Sequence, residues 1–154
     1  METTLTSNNE KSYSTFIHLS ALTKYFIPFG NYILPIVLWG SKKDSSEFIN
    51  HNGKQILNFQ LSMLLYSLLL LFISIPTLLF SVFSNVSFNE IENGDFIIEK
   101  LSTGNITGIV LIAIIAIALF CFMKISEFFL IIYAAIKTSE GEYFKYPFTI
   151  NFLK

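Results

Sequence analysis

The chain has 154 residues, 53 % hydrophobic and only 14 % charged, with a formal net charge of −1. A soluble domain carries about 25 % charged residues. The composition excludes a disordered chain, a collagen-like fibre and a disulfide-stapled module, and argues against an ordinary water-soluble domain. Ten lysines, no arginine and eleven acids leave no basic footprint for nucleic acid. The mean hydropathy of +0.58 is that of an integral membrane protein.

Residues 1–12 form a polar tail without the basic start and cleavage pattern of a signal peptide, so this segment is expected to be retained. The first apolar stretch, Tyr13 to Trp39, contains His18, Lys24, Pro28, Gly30, Asn31 and Pro35. Pro28 lacks a backbone donor and Gly30-Asn31 offers positive φ, so the chain is expected to break there. One arrangement is a helical hairpin with arms at about 13–27 and 31–41. The alternative is a single kinked span. A centred Lys24 in a single span costs about 2.5–3.5 kcal/mol, whereas in a hairpin it lies near the tip and can snorkel to an interface. That argument favours the hairpin.

The stretches Ile56–Phe83 and Ile109–Ile136 each exceed the roughly 20 residues that a bilayer core of about 30 Å requires. Between them, Val86–Ile91 and Phe96–Leu101 flank Asn93-Gly94, a turn signal that suggests a small β-hairpin. Asn85 and Asn105 open glycosylation sequons, meaningful only in a eukaryotic secretory pathway. Lys42, Lys43 and Lys54 in the first loop, and Lys137, Lys145 and Lys154 in the tail, place both segments in the cytoplasm by the positive-inside rule. The connector, with Glu90, Glu92, Asp95 and Glu99 against Lys100, then lies outside. The hairpin puts the N-terminus inside, and a single kinked span puts it outside.

The expected organisation is one membrane domain over 1–154. It comprises the tail 1–12, a broken helix or hairpin at 13–41, a cytoplasmic loop at 42–54 and a helix at 55–84. An extracytoplasmic connector at 85–106, a helix at 107–137 and an interfacial tail at 138–154 follow. The fold class is all-α: two long transmembrane helices plus the broken N-terminal hairpin, four helical segments in all, with three spans as the alternative.

Chemistry-bearing motifs are sparse. There is no phosphate loop, HExxH or GxSxG. His18 and His51 lack metal-ligand spacing, so no metal or other cofactor is expected. Cys121, inside an apolar run, reads as a buried, inert thiol. Gln60, Ser67, Ser74 and Ser81 recur every seven residues and share one drifting stripe, for helix packing or a polar path. Asn58 and Ser62, four apart, add a second strip near the cytoplasmic end, and Pro76 is expected to kink the helix. Asn58 and Gln60 are candidates to bond backbone freed at the Pro28–Pro35 break or in the tail near Tyr146-Pro147. Lys124 and Glu127, three apart in an apolar helix, suggest an ion pair or a proton or ion path, which His18 could join.

The segments 26–40, Lys42-Lys43-Asp44, 51–62 and 134–150 together resemble the bacterial membrane-protein family catalogued as domain of unknown function 4870. That family is distantly similar to the Tic-twenty component of the chloroplast inner-envelope translocon. The elements Gly53-Lys54…Asn58-Phe59-Gln60 and Gly141-Glu142-Tyr143-x-x-Tyr146-Pro147 carry the resemblance over roughly 13–84 and 107–154. It implies a compact domain of four helical segments and supplies no catalytic residues. The connector looks longer than that family's short link, and Gln55 stands where the family often has Glu.

The expected function is that of a non-enzymatic accessory or structural subunit in the bacterial cytoplasmic membrane. Its partners are the lipid bilayer and either further copies of itself or another membrane protein. A small channel, transporter or translocon-like component active as an oligomer is the rival. His18, Lys24, Asn58, Gln60, Lys124 and Glu127 are the candidate structural or functional polar residues.

Overall fold

A computed structural model describes residues 6–83 and 106–154. The connector, with its expected β-hairpin, its sequons and its acidic residues, lies outside them. Among the described residues the fold is all-helical: α1 Asn8–Ser20, a 3₁₀ helix Ala21–Tyr25, α2 Gly30–Lys42, α3 Glu47–Phe83 and α4 Ile106–Ser139. The chain forms two compact units. One gathers the described residues up to Leu65 with Lys124–Lys154, and the other holds those between Tyr66 and Met123.

In the first unit, α1 starts inside the segment expected to be a tail. The Ser7 hydroxyl accepts from the Glu10 N–H at 3.3 Å while the Glu10 carboxylate accepts from the Ser7 N–H at 2.8 Å, a reciprocal cap. Ser14, Ile17, His18 and Ser20 are its buried residues. The 3₁₀ helix then tightens the chain before the break. Phe29 takes a left-handed conformation, φ 62°, and reverses direction. Gly30 follows with no room for a side chain, since a Cβ would meet the Thr23 hydroxyl at 2.6 Å. The arms run antiparallel, and the Tyr13 hydroxyl near the start of α1 donates to the Leu38 carbonyl near the end of α2 at 2.8 Å. Pro35 sits within α2.

The stretch 42–54, expected as a loop, is helical from Glu47. An acidic residue in the first turn favours the positive end of the helix dipole, and the polar residues that follow have partners, described below. Residues Gln55 to Gln60 are buried all round the helix, which makes this part of α3 the centre of the unit. From α4, Glu127, Ile131, Ala134, Ala135 and Thr138 present one buried stripe at helical spacing. The helix ends where Gly141, φ 94°, lets the Glu142 N–H reach the Lys137 carbonyl and its own N–H reach that of Thr138. This double bond to the last turn closes the orphan carbonyls.

The second unit is built from the remaining parts of α3 and α4, with Pro76 inside α3. Its surface is apolar and exposed: Leu68, Leu69, Phe72 and Ile73 on α3, and Leu111, Ile114, Ile115 and Ile117 on α4. Such a surface suits lipid rather than water. Glu47–Phe80 and Val110–Ser139 are long and apolar enough to cross a membrane. Cys121 is exposed on α4. This corrects the expectation of a buried thiol, because an apolar run that faces lipid leaves its side chains outside the protein core.

Candidate functional site

Two clusters of buried polar groups occupy the first unit. The first is built around Glu127, 1 % exposed on α4. Its carboxylate pairs with Lys24 from the 3₁₀ helix at 2.5 Å and with Lys124, one turn back, at 3.2 Å. Lys24 therefore does not snorkel: winding residues 21–25 as 3₁₀ carries its ammonium to a carboxylate on α4. Beside it, the Asn31 amide donates to Gln60 Oε1 at 2.7 Å and the Tyr32 hydroxyl to the Gln60 carbonyl at 3.3 Å. Gln60 Nε2 is buried with no hydrogen-bond partner. Two ammonium groups share one carboxylate, so with all three ionised the cluster carries a net positive charge and disfavours a further cation.

The second cluster surrounds His18, which is fully buried. Asn52 Nδ2 donates to the Phe48 carbonyl at 2.9 Å, leaving its Oδ1 to face His18 Nε2 at 3.1 Å and the Thr138 hydroxyl at 3.2 Å. A carbonyl oxygen only accepts, so the imidazole proton resides on Nε2. Nδ1 then accepts from the Tyr146 hydroxyl at 2.9 Å. Burial pushes the His18 pKa down to about 4, opposed by the Asn52 bond and aided by His51. Burial, with a smaller contribution from Glu127, raises the Tyr146 phenol well above its usual range. The Tyr146 ring stacks on Phe59 at a centroid distance of 4.2 Å and meets Phe144 edge-on at 5.0 Å.

Tyr146 belongs to a tail that lies along α3. His51, Gln55, Asn58 and Ser62 fall on one helical face, and each holds tail backbone. His51 Nε2 bonds the Phe144 carbonyl at 3.0 Å, and Gln55 Oε1 accepts from the Tyr146 N–H at 3.4 Å. Asn58 Oδ1 accepts from the N–H groups of Phe152 and Leu153, and the Ser62 hydroxyl accepts from that of Ile150 at 2.8 Å. These bonds satisfy backbone that has no helix or sheet partner. A polar cavity of about 330 Å³ opens between Glu47, His51, Lys54 and Gln55 of α3 and the tail residues Asn151 and Lys154.

The six residues singled out from the sequence fall into three places. Lys24, Lys124 and Glu127 meet in one cluster, and Gln60 lies beside them, bonded to Asn31 at the hairpin break. Asn58 engages the tail at Phe152 and Leu153 rather than near Pro147. His18 does not join Glu127: its partners are Asn52 and Tyr146, since α1 presents it toward the start of α3 and the tail. Sequence reasoning missed Asn52 and Thr138 and gave the side chains of Tyr146, Gln55 and Asn31 no part in these clusters. Only Gln55 carried a usable signal, as the helical neighbour of His51, Asn58 and Ser62. Among the described residues no trio of His, Cys, Asp or Glu converges on a metal-sized space.

Residues 9–153 match the magnetosome magnetite crystal formation protein family, and the chain belongs to it. No curated protein and no solved structure matches. The family match overturns the resemblance to domain of unknown function 4870 and to the Tic-twenty component. The residues behind that resemblance maintain the packing: Gly53 lies against Trp39, Asn58 grips the tail and Gly141 ends α4.

Proposed function

We propose that this bacterial membrane protein is a non-enzymatic accessory subunit of the membrane around a growing magnetite crystal, acting by packing with other membrane proteins. The family supports the setting. The observation that carries the accessory role is the fate of the buried ionisable groups. Glu127 is held by Lys24 and Lys124, and His18 is held neutral between Tyr146 and Asn52. Groups tied to one another in this way stiffen a scaffold.

The partner is a second copy or another membrane protein. An apolar crevice of about 320 Å³ in the second unit, lined by Ser74, Ala113, Ala116 and Phe120 among others, supports this reading. Small residues there permit close helix approach. The lysine distribution supports an orientation with residues 40–54 and the tail in the cytoplasm and the connector on the opposite face.

Crosslinking followed by purification from native membranes in mild detergent tests the role. A reproducible membrane-protein partner or a closed homo-oligomer without conductance supports it. A homo-oligomer that conducts ions in planar bilayers replaces it with the channel reading. Deletion in a magnetite-forming host should change crystal size or number in electron micrographs, and unchanged crystals remove the crystal role. Impermeant thiol labelling of single cysteines in a Cys121→Ser background reads the orientation.

A further inference from the structure

The α1–α2 hairpin carries its own depth gauge. Lys24, at its tip, pairs with Glu127 at 2.5 Å. Glu127 lies about 18 Å along α4 from Ser139, at roughly 1.5 Å per residue. Val110–Ser139 is long and apolar enough to cross a membrane, and its polar end at Lys137–Ser139 takes up the first few ångströms, so Glu127 lies within the tail-side half of a hydrocarbon core of about 30 Å. At the base, Thr15 bonds the Ala135 carbonyl at 3.5 Å, Lys42 lies over the Tyr13 ring at 4.5 Å and Lys43 over Trp39 at 5.4 Å. Lysines on aromatic rings are what the headgroup level favours. Between base and tip, α2 exposes Ile33, Ile36 and Val37.

The tip itself is apolar and uncovered, with Phe26 86 % and Phe29 73 % exposed. Much of its backbone N–H is already paired or missing: Phe26 and Ile27 donate to the Thr23 carbonyl, Gly30 donates to that of Ile27, and Pro28 has no N–H. Tyr25 meets Phe128 edge-on at 6.3 Å beside the exposed Ile125 and Phe129. The tip surface is thereby continuous with a face of α4 that lies within its apolar span. The second arm, α2, has 13 residues, about 20 Å, too short to cross, and the first arm runs antiparallel to it, with Tyr13 level with Leu38.

We propose that the hairpin enters the bilayer from the side of the tail, ends within that leaflet among its acyl chains, and acts as a one-leaflet wedge. The N-terminus then lies on the same side as the tail. Two helices about 10 Å across add on the order of 150 Å² to one leaflet. The protein therefore favours membrane whose tail-side surface is convex. The proposal rests on membership of the membrane and not on the crystal role.

The test uses the full chain in phosphatidylcholine–phosphatidylglycerol vesicles. In a Trp39→Phe background, Phe26→Trp and, separately, Ile27→Trp report depth. Bromines near the acyl-chain ends should quench the tip tryptophan most strongly, and aqueous iodide should not quench it. Bromines near the headgroups should quench the native Trp39 most strongly. Quenching of the tip by iodide or by shallow bromines overturns the insertion. Protection from every quencher means that protein covers the tip, and overturns it too. For curvature, an impermeant dye on a tail tag marks only molecules with the tail outside a giant vesicle. Tubes pulled outward should show a tube-to-vesicle ratio above unity for these molecules, and a ratio at or below unity removes the wedge. An N-terminal tag that labels from the side opposite the tail also sinks the proposal, and needs no mutation in the hairpin.

Discussion

Asn58 holds the backbone of Leu153 from both sides: its Oδ1 accepts the Leu153 N–H at 2.8 Å and its Nδ2 donates to the Leu153 carbonyl at 3.0 Å. One amide side chain thus does for the tail what a neighbouring strand does in a sheet. Asn58→Leu leaves the Phe152 and Leu153 groups without partners, at a cost on the order of 2–3 kcal/mol. The detergent melting temperature should fall, and proteolysis of the tail should accelerate. Asn58→Asp keeps the acceptors and should lose less. Equal melting temperatures for all three proteins would show that the tail is held elsewhere.

The shared carboxylate of Glu127 sets an order among variants. Lys24 is the closer partner and the more buried, its side chain 16 % exposed against 37 % for Lys124. Breaking a buried pair from one side costs about 3–5 kcal/mol, whereas an exposed partner contributes about 1 kcal/mol or less. Glu127→Leu should therefore destabilise strongly, Lys24→Met less because Lys124 remains, and Lys124→Met least. The double change Lys24→Met with Glu127→Leu should recover much of the loss. Thermal melts in one detergent decide, and strictly additive effects would show that Lys24 and Glu127 act independently.

These two sites mark how far the sequence is readable. The helix lengths follow from unbroken apolar runs, and the hairpin break follows from Pro28, Gly30 and Asn31, because both signals are local. Lys124 and Glu127 are legible as a pair for the same reason, one helical turn apart. Lys24 belongs to a distant segment, and only the 3₁₀ winding of residues 21–25 decides where its ammonium goes. The tail contacts are half legible: Asn58 and Ser62 stand out as polar, but nothing local says that an extended chain will lie on them. The start of α3 is not legible, because Glu47–Lys54 look like a polar loop until their partners fold back onto them.

Gly53 is required by the hairpin's second arm. A Cβ at this position would overlap the Trp39 indole, which donates to Asn50 Oδ1 at 3.0 Å. Overpacking of this kind costs about 1–3 kcal/mol. Gly53→Ala should lower the melting temperature and, because Trp39 is the single tryptophan, shift its fluorescence. A larger loss is expected for Gly53→Val. An unchanged emission spectrum in Gly53→Ala would place the indole elsewhere.

His18 should make stability depend on pH in a defined window. Its pKa is about 4 in the folded protein against 6.5 for the free side chain. A base whose folded pKa is depressed binds more protons when unfolded. Its contribution is present above pH 6.5, declines as the pH falls through the interval, and levels off below about 4. The full difference amounts to about 3 kcal/mol. The geometry gives the same sign: a second ring proton at Nδ1 would face the Tyr146 hydroxyl, which now donates there, while Asn52 Oδ1 remains occupied by Nε2–H. Other charges act on the site. His51 opposes protonation of His18, and Glu127 opposes ionisation of Tyr146. Glu10, with a carboxyl pKa held below its usual 4.5 by its bonds to Ser46 and Ser7, also loses stability on acidification, beginning about one unit above that value. Melts between pH 7 and about 5.5 therefore precede most of the carboxylate loss, and His18→Gln separates the histidine from every other group. The wild-type melting temperature should drop steadily across that range, and His18→Gln should start lower at neutral pH and vary little. A wild-type curve that is flat between those limits, or a His18→Gln curve that falls in parallel with it, would show that the imidazole is not held neutral by its burial.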